Sequence, residues 1–188
     1  MRGRFVIVVG PSGAGKGTLV RYVLEAVPAI SYAQSFVTRG MRPGEVNGEM
    51  YHFVSQEEFD KKIQQGDFLE WAEFGGNYYG TALSSVMPEL EKGNIILKEV
   101  EVQGARQILE KIPRKSLFII FIHAGSWGAL EKRIRGRAPI SEEEVAKRKG
   151  RYDDEMSFIQ KADVIIENND GSIEVAKKKI QEAVESLL

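Results

Sequence analysis

The chain has 188 residues, is 43% hydrophobic and 28% charged, and carries a net charge of −1. That is the profile of one ordinary globular domain with no overall field to draw nucleic acid. It has no cysteine and two histidines, His52 and His123, which excludes disulfides, thiol catalysis and a cysteine-based zinc site. No apolar run approaches membrane-spanning length, and Met-Arg-Gly-Arg is too short for a signal peptide, so a cytoplasmic protein with no membrane or nucleic-acid partner is expected.

In chain order, Phe5–Val9 is a continuous, largely β-branched run, as expected of a strand covered on both faces. Leu19, Val20, Val23, Leu24 and Val27 recur at helical spacing, and Pro28 stops that helix. Between them stands Gly10-Pro11-Ser12-Gly13-Ala14-Gly15-Lys16-Gly17-Thr18. Strand, glycine loop and helix in this order, with the G-x-x-x-x-G-K spacing, are the context of a loop that holds a nucleotide phosphate. Glycines let successive N–H groups turn toward one anion, the helix N-terminus adds its dipole, and Lys16 adds a full charge. Gly17 stands where a serine or threonine hydroxyl for Mg²⁺ is usual, and Thr18 follows one place later.

Ile30–Val37 reads as a second strand. Residues 38 to 82, rich in glycine, tyrosine and charge, break the α/β alternation and read as an inserted subdomain. It holds a helix over about 56–65 with a capping box at Ser55 and Glu58, and short strands at Phe68–Phe74 and Asn77–Tyr79. The alternation then returns. A helix is expected over about 84–92 with Pro88 disturbing it, then a strand Ile95–Val100 and a helix Gln103–Ile112 ended by Pro113. Leu117–Ile122 reads as a central strand, followed by a helix Trp127–Ile134 and a loop over 136–140. Ser141 with Glu144 caps a charged helix reaching about Ile159, Val164–Ile166 is the last strand, and Ser172 opens a terminal helix. The whole implies an α/β fold with a parallel sheet and helices on both faces.

Several residues beyond the loop have the chemistry of a site. Arg39 and Arg42, with Pro43-Gly44 forcing a turn, make a fork for a phosphate, and Tyr51 and Tyr79 can each add a phenolic hydrogen bond. Glu70, among aromatic residues, either accepts from a base edge or pairs with an arginine of its own chain. Glu99 and Glu101 sit at the carboxyl end of a strand, share one face, and suit Mg²⁺ or a ribose hydroxyl. From Gly125 to Arg151 there are eight Lys/Arg against four Glu. Arg133, Arg135, Arg137, Arg148 and Arg151 there form either a basic flap over transferring phosphates or an exposed helix pairing with Glu142–Glu144.

The phosphate loop, then Thr38-Arg39, Arg42-Pro-Gly-Glu45, Tyr51, Phe-Leu-Glu70, Gly-Asn-Tyr-Tyr79-Gly-Thr81, Val-Gln-Gly104, Arg-Gly-Arg137 and Lys-Arg148, together resemble the guanylate kinase family over nearly the whole chain. The resemblance implies a P-loop NTPase-type parallel sheet with helices on both faces, an inserted mixed α+β monophosphate-binding subdomain and a short basic lid. It divides the chain into a core (1–34, 83–124 and 159–188), a GMP-binding subdomain (35–82) and a lid (about 125–158). It implies transfer of phosphate from ATP to GMP, with Mg²⁺. Residues Gly10 to Thr18 would hold the ATP phosphates, with Lys16, Arg39, Arg133, Arg137 and Arg148 catalytic. Ser35, Glu70 and Thr81 would read guanine, Arg39, Arg42, Tyr51 and Tyr79 would hold the GMP phosphate, and Glu45 and Glu101 would complete that site. Thr18, Glu99 and Glu101 would be the residues toward the metal. Where this family usually has Ser and Asp-x-Asp, this chain has Gly17 and Glu99-Val-Glu101. Two other readings share part of the pattern: a ribose 1,5-bisphosphate phosphokinase-like enzyme and a non-catalytic guanylate-kinase-like binding module. Lys16-Gly17-Thr18 also matches the adenylate kinase form of the loop, and a signalling GTPase is disfavoured by the lack of Asn-Lys-x-Asp.

Overall fold

The computed structural model describes residues 2–137 and 139–188, without the side chain of Arg137. Met1 in the expected core and Ala138 in the expected 136–140 loop and lid lie outside the described residues. The chain groups into two compact units. One comprises Met1–Phe5, Ala29–Lys98 and Gln103–Leu117, the other Val6–Pro28, Glu99–Val102 and Phe118–Leu188.

The elements in order are β1 (Arg4–Val9), α1 (Lys16–Ala26), β2 (Ser31–Tyr32), β3 (Ser35–Val37), β4 (Tyr51–Phe53), α2 (Gln56–Gln64), β5 (Phe68–Phe74) and β6 (Asn77–Ala82). Then follow α3 (Leu83–Lys92), β7 (Ile95–Glu99), α4 (Val102–Lys111), β8 (Leu117–His123), α5 (Trp127–Arg137), α6 (Glu142–Ser157), β9 (Val164–Glu167) and α7 (Ile173–Glu185). Short 3₁₀ turns precede β8 and follow α6. A five-stranded sheet has the order β2-β7-β1-β8-β9, and a four-stranded sheet the order β4-β3-β6-β5. Strands β2 and β7 pair parallel, as do β8 and β9. The centre of the larger sheet is β1, whose Phe5–Val9 are fully buried. The run at Leu117, expected as central, is β8, beside the edge strand β9.

Four expectations are corrected. The run Ile30–Val37 is two strands, not one: Ser31 and Tyr32 pair with β7, whereas β3 pairs with β4 and β6. The chain changes sheet at Ala33-Gln34, where Ala33 N donates to Leu97 O and the Gln34 amide donates to the carbonyls of Gly48 and Glu49. Tyr51–Phe53, not expected as a strand, pairs parallel with β3. Helix α3 runs through Pro88 unbroken. Ser141 caps α6 through its own hydroxyl, which accepts from Glu144 N, but the Glu144 carboxylate pairs with Arg148 instead of closing a capping box. The full capping box at Ser55 and Glu58 does form.

In the unit that carries the loop, α7 packs on α1 and buries Ala176, Ile180 and Val184 beside Leu19, Val20 and Val23. In the other unit, the smaller sheet is covered by α2 through Phe59, which is fully buried. Its ring stacks on Phe68 at 4.5 Å and meets Tyr78 at 5.6 Å. Strands β5 and β6 are antiparallel, with a bulge between Phe68 and Glu70. That extra residue sets Glu70 directly opposite Thr81, so the two side chains share one face.

Phe59→Ala is expected to lower stability by about 3–5 kcal/mol, because deleting a buried ring loses its transfer energy and leaves a cavity. Urea unfolding measures it. A loss below about 1 kcal/mol would contradict the role given to this ring.

Candidate active site

Two clusters of functional groups form, one in each unit. The first surrounds the glycine loop. Gly15 caps α1 at φ +91, a left-handed backbone that side chains disfavour. A Cβ there would also lie 2.5 Å from Asn168 Nδ2, which donates to Ala14 O at 2.7 Å. The first-turn N–H groups of α1 have no side-chain cap and remain for an anion.

Lys16 is buried, and its ammonium donates to Gly10 O at 2.7 Å. It lies 3.5 Å from Glu101 Oε1. Burial lowers its pKa, but Glu101, Glu99 and Glu155 raise it by more, so the lysine stays charged. Both expected glutamates are thus beside the loop lysine. A Cβ at residue 17 would stand 3.0 Å from Glu99 Oε2, a tight contact that the flexible end of the glutamate relieves by moving a few tenths of an ångström. Thr18 is exposed on α1.

Helix α6 grips the loop at Ser12. Arg148 donates to Ser12 Oγ at 3.0 Å, and Ser12 N donates to Glu155 Oε2 at 3.4 Å. Glu155 was not singled out by the sequence, where Asp-Asp-Glu-Met reads as one more charged helical turn. Burial raises its pKa, as does Glu101, against Lys16, the Ser12 N–H and Arg151. Arg133 donates to Asn168 O at 2.8 Å and to Asp170 at 2.9 Å, which fixes its guanidinium on the turn before α7. Arg135 bridges Glu131 and Glu142, the surface role that the charge pattern allowed. Arg137 ends α5, and its side chain lies outside the described residues.

The second cluster lies on the smaller sheet. Arg39 meets Glu45 in a fork of two hydrogen bonds, 2.6 and 2.7 Å, and Arg42 N donates to Glu45 Oε2 at 2.8 Å. The Arg39 guanidinium, followed by the Arg42 N–H, holds the Glu45 carboxyl down to about 2. Arg39 also lies over the rings of Tyr51 at 4.9 Å and Phe53 at 5.3 Å, and Tyr79 is near enough to favour its charge. Glu45 therefore holds Arg39 in place. Arg42 is exposed on the same turn.

Glu70 does not pair with an arginine in the described contacts. Thr81 donates its hydroxyl to Glu70 Oε1 at 2.5 Å. On the other side, a Cβ on Gly104 would come within 2.5 Å of Glu70 Oε2, so the glycine of Val-Gln-Gly104 makes room for the carboxylate. Burial raises the Glu70 pKa, against the Thr81 hydroxyl and the charges of Lys98 and Lys111. Ser35 is buried on β3 and accepts from the Lys98 ammonium. Lys98 was also missed, although a lysine inside the apolar run Ile-Ile-Leu-Lys of a covered strand is itself a signal.

A cluster of arginines and tyrosines beside a buried carboxylate suits an anionic ligand with hydrogen-bond donors, and the glycine loop suits a phosphate. Among the described residues, no group of three or more His, Cys, Asp or Glu could hold a metal by itself. Comparison with known proteins agrees with this chemistry. The family model described as guanylate kinase matches residues 2–187. A guanylate kinase of Nostoc sp. is 45% identical over 98% of this chain and 90% of its own length. A guanylate kinase of Rubrobacter xylanophilus is 45% identical over 90% of this chain and 87% of its own length. The crystal structure of guanylate kinase from Anaplasma phagocytophilum superposes with a TM-score of 0.76 at 28% identity, covering 98% of this chain and 85% of that one.

The raised Glu70 pKa means that the fold favours the protonated carboxyl. The stability it contributes is present at low pH and is lost as pH rises through the raised value. Glu70→Gln is therefore expected to melt higher than the unsubstituted protein near about pH 8, by about 2–4 °C for each kcal/mol of relief. The gap should close as the pH falls. A melting difference that does not depend on pH would contradict an ionised, buried Glu70.

Proposed function

The chain belongs to the guanylate kinase family, and from that premise we propose what each residue does in the phosphorylation of GMP by ATP. The protein is an enzyme, a kinase that forms GDP and ADP. The acceptor is assigned to residues 35–82 and a basic lid to about 125–158. The reaction needs no covalent enzyme intermediate: positioning and charge neutralisation supply most of the catalysis of in-line transfer.

At the acceptor end, Glu70 takes the N1 and N2 donors of guanine, which adenine lacks, and the buried Thr81 hydroxyl keeps the carboxylate in place. Ser35 serves the same base. Arg39, Arg42, Tyr51 and Tyr79 hold the GMP phosphate, with Glu45 orienting Arg39. The bidentate Arg39–Glu45 pair supports this reading, because a guanidinium already fixed on one side loses little freedom when it takes a phosphate on the other. Placing positive charge around the acceptor phosphate also lessens repulsion between two polyanions.

At the donor end, residues Gly10 to Thr18 cradle the ATP phosphates. Lys16 is held as an ammonium by Glu101, Glu99 and Glu155. It moves from the Gly10 carbonyl to the β- and γ-phosphate oxygens. Arg133, Arg137 and Arg148 add charge over the transferring group. Of these, Arg148 is already tied to the loop through Ser12 Oγ. The kinases of this family generally need a divalent metal, and Mg²⁺ is the ion we assign. When bound, it neutralises charge on the phosphates. Glu99 and Glu101 supply hard oxygen donors beside the loop, and a set this small fits an ion that keeps waters and phosphate oxygens. Glu101 also suits the GMP ribose. Thr18 is the remaining hydroxyl near the lysine, one residue beyond Gly17.

The loop lysine and lid arginines, which a non-catalytic module typically loses, are present here. Arg42-Pro-Gly-Glu45, Glu70 and Val-Gln-Gly104 fit a nucleotide acceptor better than ribose 1,5-bisphosphate. The bacterial relatives support a cytoplasmic location.

A coupled assay with Mg-ATP and GMP, AMP, UMP or ribose 1,5-bisphosphate tests the acceptor, and GMP is expected to dominate. Turnover of ribose 1,5-bisphosphate in preference to GMP would overturn the assignment. Lys16→Ala should abolish transfer while calorimetric GMP affinity stays within about threefold, because the lysine acts at the donor phosphates. Retained turnover would contradict its role.

A further inference from the structure

Lys98 is a cation at a place where the fold expects a hydrocarbon. It lies on β7, between Leu97 and Glu99, and is 1% exposed. Burying an ammonium costs several kcal/mol unless its hydrogens and charge are matched. Here they are matched on several sides. The ammonium donates to Ala33 O at 2.6 Å and to Ser35 Oγ. It lies 4.8 Å from the centre of the Tyr32 ring. Its charge reaches Glu70 and opposes the upward push of burial on that carboxyl. Lys98 therefore touches or acts on two of the base-reading residues of the proposed acceptor site, Ser35 and Glu70.

An ammonium has three hydrogens and no lone pair, so it only donates. Toward Lys98, the Ser35 oxygen must accept. A serine hydroxyl carries one hydrogen, and that hydrogen must then point away from the lysine. One lone pair of the oxygen stays open, but the ammonium draws electron density from it, so Lys98 makes the hydroxyl a stronger donor and a weaker acceptor. The complementary edge of guanine has two donors, at N2 and N1, followed by an acceptor, the oxygen at C6. Glu70 takes the two donors. The adjacent acceptor needs a donor, and Ser35 supplies one. A 6-amino purine would bring N–H hydrogens toward an oxygen already bound to an ammonium, a weakened acceptor beside a like charge.

We propose that Lys98 is a positioning residue for base specificity: it orients the Ser35 hydroxyl as a donor, and so makes the acceptor site read the 6-oxo group of a purine monophosphate. The inference rests on the reading of residues 35–82 as the GMP site. An apolar side chain at residue 98 would leave the hydroxyl free to rotate. A site with a rotating hydroxyl discriminates less, because it can meet either a donor or an acceptor.

The test uses the full chain and three acceptors that keep N1–H: GMP, IMP and 6-thio-GMP, in which sulfur, a weaker acceptor, replaces the oxygen. Lys98→Met keeps the volume and removes the donor. It should lower kcat/KM for GMP and IMP alike, by about tenfold or more and mainly through KM. The value for 6-thio-GMP should change by less than about threefold. Ser35→Ala should show the same selective loss, and the double variant should add little further, as expected for residues acting through one bond. Equal losses on all three acceptors, or fully additive losses, would overturn the inference and leave Lys98 as a structural tie between β7 and the β2–β3 turn. If Lys98→Met does not fold, Ser35→Ala decides alone, and an unselective loss there overturns the inference. A wild-type enzyme that does not turn over GMP would instead refute the acceptor reading itself.

Discussion

The acceptor cluster depends on one costly feature, a carboxylate buried without an arginine partner among the described residues. A charged group taken out of water must find hydrogen bonds and opposite charge or give up its charge. Glu70 is kept ready by four local choices. A bulge in β5 brings it opposite Thr81, Thr81 donates to one oxygen, Gly104 leaves room for the other, and Lys98 counters the cost of burial. None of these makes the site more stable than an apolar packing would. In the proposed function they hold an acceptor in place for a ligand that brings its own donors, so that stability and base recognition would pull in opposite directions at this position.

The cations follow a complementary rule. Lys16, Arg39, Arg133 and Arg148 each have carboxylates or carbonyls as partners. Their side chains are therefore held in place without a ligand, as the phosphate-binding roles proposed for them require. Two departures of this sequence from the usual family pattern are neighbours. Glu99 is longer than aspartate, and Gly17 is shorter than serine, and the two lie side by side: the glutamate oxygen stands 3.0 Å from where a Cβ at residue 17 would be.

Much of this was legible in the sequence because it depends on local rules. The glycine loop between a buried strand and a helix, the Ser55–Glu58 box and the stop at Pro28 are all set by neighbours in the chain. The errors came where distant partners decide. Ser31-Tyr32 and Ser35–Val37 look like one strand by composition, yet they serve different sheets. Tyr51–Phe53 is too short to announce itself and exists because β3 offers an edge. Glu144 completes no capping box because Arg148, one turn on, competes for it. Glu155 and Lys98 were missed for opposite reasons. The first is hidden among other charges of α6, while the second stood out against Ile95, Ile96 and Leu97 and should have been questioned.

The central claim is that the Glu70 carboxylate reads the donor edge of guanine. The most direct measurement is the ratio of kcat/KM for GMP over AMP in the wild type and in Glu70→Gln. An amide can accept from only one of the two guanine donors and turns its own N–H toward the other. The account predicts that the ratio falls by about 100-fold or more, chiefly through KM for GMP. A ratio left unchanged by the substitution would contradict it.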